Sequence, residues 1–113
     1  MKKTSIVVNS ARKLVNMSVA GKMTMEDANL FLQDYKTKID PIAGQQYDLV
    51  VDCTDMAVLT QDMVDNLTGV MKMYKETGFN QITYQIKENV VLKMQLNRIA
   101  KNAGLTNSQV VEV

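Results

Sequence analysis

Apolar and polar residues alternate twice near the start of the chain. Thr4 to Val8 is a short β-branched run, and Lys13 to Ala20 places Val15, Met17 and Val19 on one side and Asn16 and Ser18 on the other. A period of two marks a strand, and the turn formers Asn9-Ser10-Ala11-Arg12 fold the pair into an antiparallel hairpin. The period then changes. Thr24-Met25-Glu26-Asp27 sets a capping hydroxyl ahead of two acids, and Ala28, Phe31, Leu32, Tyr35 and Ile39 follow at spacings of three and four, until Asp40-Pro41 stops the helix. Tyr47 to Cys53 is a continuous apolar stretch closed by Asp52 and Cys53, the pattern of a strand covered on both faces.

Thr60 to Thr77 carries Met63, Leu67, Val70, Met71 and Tyr74 on one helical face, with Gly78 as its stop. Gln81 to Ile86 alternates again. Asn89 caps a third helix with the stripe Leu92, Leu96, Ile99, Ala100 and Ala103, ending at Gly104, and Gln109 to Val113 forms a last short strand. The order ββαβαβαβ predicts an α/β fold, a mixed sheet of about five strands with three main helices. Its later strands are parallel and joined by helical crossovers, giving one layer of helices on the sheet or a helix displaced to the other side. Residues 1–113 are expected to form a single domain.

Composition narrows the chemistry. With 46% apolar and 22% charged residues the chain is of ordinary globular make-up, and a net charge of +1 supplies no field for nucleic acid or an anionic membrane. One Cys and no His remove the usual zinc, haem and iron–sulfur ligand sets, so the expectation is no metal and no cofactor. Without imidazole, catalysis would need shifted carboxylates, a Lys or a metal held by oxygen ligands, and the carboxylate pair Asp52 and Asp55 would need one raised pKa, so the chain is read as non-enzymatic, with no catalytic residues. Ile6-Val7-Val8 is too short for a signal-peptide core or an integral membrane segment, which points to a cytoplasmic protein.

Polar groups are densest between Asp52 and Asp62, where a strand's C-terminal end meets a helix N-terminus: Asp52, Cys53, Thr54, Asp55, Thr60, Gln61 and Asp62. Unsatisfied backbone N–H groups collect at such junctions in parallel sheets. A protein-binding epitope is expected here, at Thr54, Asp55, Thr60, Gln61 and Asp62. Turn stabilisation by Asp52 and Asp55 and helix capping by Thr60 are the local alternative. Nine Met residues are read first as core filler, with the lining of an adaptable protein or lipid surface as the alternative. Lys72, Lys75, Lys93, Arg98 and Lys101 form a basic patch if their helices are neighbours, and otherwise a solvated face.

The element order, the strand Leu49-Val50-Val51-Asp52, the following Met56-Ala57-Val58-Leu59 and the helix from Thr60 resemble STAS domains, the anti-sigma-factor antagonist-like family. The resemblance implies a regulatory protein-interaction module whose partner serine kinase phosphorylates a hydroxyl at the start of this helix. Aligned without gaps, Asp52 matches the strand-ending acid, Thr60 the acid of an Asp-Ser-Ser-Gly-Leu-like run, Gln61 and Asp62 its two hydroxyl residues, and Met63 its glycine. Neither matched hydroxyl position keeps a hydroxyl, so the usual phosphoserine switch does not carry over, and a loop shift of one or two residues would make Thr60 the candidate phosphorylation position. The run Val19 to Ala28 is similar to the strand-to-helix passage of STAS and Sec14-like proteins, which implies an alternative: a carrier or sensor of an apolar small molecule or lipid between helices and sheet. A regulatory protein partner, or that apolar ligand, is thus expected, and assembly into a homo-oligomer stays open.

Overall fold

The computed structural model describes residues 4–20, 25–56 and 59–113, and residues 21–24, with the expected Thr24 cap, and the Ala57-Val58 pair lie outside them. Five strands and three helices follow in the order β1 (Thr4–Asn9), β2 (Leu14–Ala20), α1 (Met25–Ile39), β3 (Asp48–Asp55), α2 (Gln61–Thr77), β4 (Ile82–Ile86), α3 (Val90–Asn102) and β5 (Ser108–Glu112). A short 3-10 turn, Asp40–Ile42, follows α1, with Pro41 in its first turn, where a missing N–H costs least.

The strands lie side by side in sequence order, β1 antiparallel to β2 and all later neighbours parallel. Each parallel step moves one strand in the same direction, and right-handed crossovers then put every helix on one face. Burial follows that geometry. Val15, Met17, Val19, Leu49, Val51, Cys53, Ile82, Tyr84 and Ile86 are buried, while Asn16, Ser18, Val50, Asp52, Thr54, Thr83 and Gln85, which alternate with them, are exposed or half-buried. One register row of the covered face runs Ile6, Met17, Val51, Tyr84, Val110. The expectation that β3 is covered on both faces is therefore corrected: its apolar run is real, but Asp52 and Thr54 share Val50's side of the pleat and keep it solvated.

Lys13 begins no strand. It closes the hairpin at φ 51, donating its N–H to Ser10 O at 3.4 Å. The two later helices stop at glycines held at φ 82, Gly78 and Gly104, a backbone region in which other residues are strained.

The phase of α2 also differs from its sequence pattern. Met71 and Tyr74 are buried against the sheet, but Met63, Leu67 and Val70 are only half-buried. The reason is the spacing of the helices. Near their C-terminal ends α1 and α2 meet: the Tyr35 hydroxyl and Thr77 Oγ1 are 2.6 Å apart, and the Tyr35 and Tyr74 rings lie 5.8 Å apart. Towards the other end the helices part, and Leu67 and Val70 face an apolar groove of about 280 Å³ instead of a neighbouring helix.

Candidate functional site

The structure divides the expected epitope. Thr54 and Asp55 belong to β3, because β2 pairs with it as far as Ala20 opposite Asp55; this corrects their placement in a loop. Thr54 therefore faces the open side of the sheet with Asp52, two residues away on the same pleat. Asp52 Oδ1 accepts both the Thr54 hydroxyl, at 2.6 Å, and the Thr54 backbone N–H, at 3.0 Å. These bonds hold the Asp52 carboxyl below its ordinary range, Lys87 adding to the effect. A general acid needs the opposite shift, so Asp52 lacks the property required of an acid in a carboxylate pair.

Thr60, Gln61 and Asp62 lie elsewhere, at the start of α2. Thr60 is the N-cap, its Oγ1 accepting the Met63 N–H at 3.4 Å, and Gln61 Nε2 donates to Asp65 Oδ1 at 3.2 Å one turn on. Asp62 is exposed in the first turn, where its charge suits the positive helix end. Local chemistry thus occupies Thr60 as the helix cap, the alternative the sequence had left beside a binding role, and Gln61 through its bond to Asp65. Thr60→Ala is expected to lower stability by about 1 kcal/mol, the usual cost of an N-cap. A urea midpoint equal to that of wild type would show the cap bond to be idle.

The segment before α2 is anchored from both sides. Met56 and Leu59 are buried, and Gln95 of α3 clamps Leu59 with two bonds: its Oε1 accepts the Leu59 N–H at 2.9 Å and its Nε2 donates to Leu59 O at 3.0 Å. Gln95 has no counterpart in the sequence reading. Only its position off the Leu92–Leu96–Ile99 stripe marks it, and its partner is 36 residues away.

Beside that clamp, α2 and α3 enclose a mixed groove of about 500 Å³ that includes Gln61, Val64, Val91, Met94, Gln95 and Arg98. Part of its lining is apolar and exposed. Val91 and Met94 are 52% and 60% exposed, and neighbouring Val90 is 67% exposed, a cluster of large side chains in water on one helix. Spacing of three residues put Val91 and Met94 on one surface in the sequence. As for the basic residues, α2 and α3 do pack together, but Lys75 lies over Gly104 and Lys93 is 3.6 Å from Glu112, so the patch is partly committed to local contacts.

Cys53 is buried in β3, and burial pushes its thiol up to about 12, far from nucleophilic thiolate. Among the described residues no group of three His, Cys, Asp or Glu is placed to hold a metal ion, and no helix is long and apolar enough to cross a membrane. No protein-family model matches the chain, and a search of curated proteins finds no significant match.

Proposed function

We propose that this chain is a STAS-like, non-enzymatic protein-interaction module of a regulatory system, working without the usual phosphoserine switch. The observation that carries this reading is the solvent-facing cluster Val90, Val91 and Met94 on α3, beside the first turn of α2. Exposed apolar side chains next to a rigid, clamped helix start suit a protein contact, because their burial supplies affinity while the polar rim sets orientation. The ββαβαβαβ order and the mixed sheet are compatible with the proposed family.

The occupant is a folded protein with an apolar side chain for Val91 and Met94, a carboxylate for Arg98 and a cation for Asp62. Of the epitope expected from sequence, Gln61 lines the groove and Thr60 and Asp62 flank it, whereas Thr54 faces the other side of the molecule and falls outside the interface.

Once a partner is in hand, calorimetric titration should show Met94→Glu weakening it by about 30-fold, the scale of an interface hot spot, and Arg98→Glu or Asp62→Lys slowing association in a salt-dependent way. All three residues are exposed, so the variants should keep the native fold. Equal affinities for wild type and Met94→Glu would sink the proposal.

A further inference from the structure

The sheet has two edge strands, β1 and β5, and an edge presents backbone N–H and C=O groups that no neighbouring strand takes. The two edges differ. On β1, Lys38 of α1 donates from its ammonium to Ile6 O at 2.9 Å, and Asp34 lies 3.5 Å from the same ammonium. A lysine set over an edge is one of the ways in which proteins keep a strand from pairing with another chain. β5 carries no such guard. Ser108-Gln109-Val110-Val111-Glu112 contains neither Lys nor Pro, its register with β4 runs without a bulge, and its one charged side chain, Glu112, lies 3.6 Å from Lys93 of α3.

The ladder with β4 decides which groups of β5 are free. Ile82 donates its N–H to Asn107 O at 3.0 Å, and Val113 donates its N–H to Ile86 O at 2.8 Å. Backbone groups along a strand turn alternately to one side and the other. Asn107, Gln109, Val111 and Val113 therefore face β4, and Ser108, Val110 and Glu112 turn away from it. Three N–H and three C=O groups point outward, and among the described residues none of the six has a hydrogen-bond partner.

The free groups are symmetric about Val110. In an antiparallel ladder, two residues of a hydrogen-bonded pair exchange both of their bonds. A second β5 related by a two-fold axis at Val110 would set Val110 against Val110 of the second copy and, at each end, Ser108 against Glu112, so that all six groups on each strand are bonded. A slip of one residue presents groups already used in the β4 ladder, and a slip of two leaves Ser108 or Glu112 unpaired. The side chains suit the same register. β-branched Val110 meets its own copy on the helix side, Val111 meets Gln109 on the open side, and Glu112 meets an uncharged serine, so no like charges face one another.

We propose that β5 is the contact through which two copies of this chain pair, antiparallel and centred on Val110, into one continuous sheet. The contact is one strand wide, so the dimer is reversible and forms as concentration rises into the high micromolar range. The edge shares no residue with the α2–α3 groove, so either reading can fail alone.

The test is sedimentation of the full chain from low micromolar to millimolar concentration, with amide hydrogen exchange followed by NMR over the same range. A monomer–dimer equilibrium is expected, and the amides of Ser108, Val110 and Glu112 should gain protection only as the dimer forms, while those of Gln109 and Val111, bonded to β4, are protected throughout. Ser108→Glu places a carboxylate opposite Glu112 at both ends of the contact and should raise the dissociation constant about tenfold, whereas Ser108→Lys places a cation there and should lower it. Ser108 is half-buried at the start of the strand, so both variants should keep the native circular dichroism. If one of them does not fold, the other and the exchange pattern decide. A chain that stays monomeric to millimolar concentration, a dimer that leaves exchange at Ser108, Val110 and Glu112 unchanged, or a dissociation constant that Glu and Lys at position 108 move in the same direction would each overturn the proposal.

Discussion

Leu49→Ala is expected to lower the unfolding free energy by about 3 to 4 kcal/mol, within the range for deleting a fully buried Leu side chain and a large share of a small domain's stability. Leu49 is 0% exposed in β3, with Val15 and Ile82 as its register neighbours, so no adjoining strand can collapse into the space it leaves. Leu67→Ala should cost less than half as much, because Leu67 is half-buried and already borders open space. Urea denaturation of the two variants beside wild type gives the comparison. Equal midpoints for Leu49→Ala and Leu67→Ala would put both residues in one continuous core and close the groove between α1 and α2.

The contrast between these two leucines also shows where the sequence stops being sufficient. The alternation in Leu14–Ala20 and Ile82–Ile86 assigns strands because one face of a pleat must be dry, and the structure buries Val15, Met17, Val19, Ile82, Tyr84 and Ile86 accordingly. Caps and stops were equally readable: Thr60, Asn89 and Gly78 each satisfy helix ends with local bonds. The depth of burial along a helical stripe is a different quantity. Met63, Leu67, Val70, Met71 and Tyr74 share a face, but how far α1 stands from α2 is set by the spacing of helices over the sheet, which periodicity does not encode.

The candidate site was legible in part for the same reason. Asn89 and Thr60 act within three or four residues of themselves, so their roles could be read from order alone. Thr54 and Thr60 both lie in one polar stretch, yet the two extra residues of β3 place Thr54 on the open face of the sheet and Thr60 at the start of a helix on the other. The clamp from Gln95 onto Leu59 joins elements that only the tertiary fold brings together.

Alkaline unfolding should be abrupt. Burial raises the pKa of four acids: Cys53 and Tyr35, each to about 12, and Tyr74 and Tyr84, both well above the ordinary phenol value. Among the described residues the buried Tyr84 hydroxyl has no hydrogen-bond partner, so its phenolate would be especially poorly solvated. The unfolded chain releases these protons near the ordinary values of 9.0 for the thiol and 10.0 for the phenols, whereas the folded chain retains them. Stability is therefore complete below about pH 9 and is lost as pH rises, each such group contributing a slope that approaches 1.4 kcal/mol per pH unit. Between about pH 9 and 11 the four together remove about 6 kcal/mol, comparable with the whole stability of a domain this size. With no His, no side chain of ordinary pKa titrates between about pH 5 and 8, so a plateau should precede the fall. Circular dichroism and tyrosinate absorbance should change together in one cooperative step near about pH 11. Tyr84→Phe removes one of the four groups along with an unsatisfied hydroxyl, so it should move that step to higher pH without loss of stability at neutral pH. If absorbance instead shows Tyr35, Tyr74 and Tyr84 titrating near the ordinary phenol value while the dichroism stays native, then these three are reached by water and the covered face of the sheet is not closed as described.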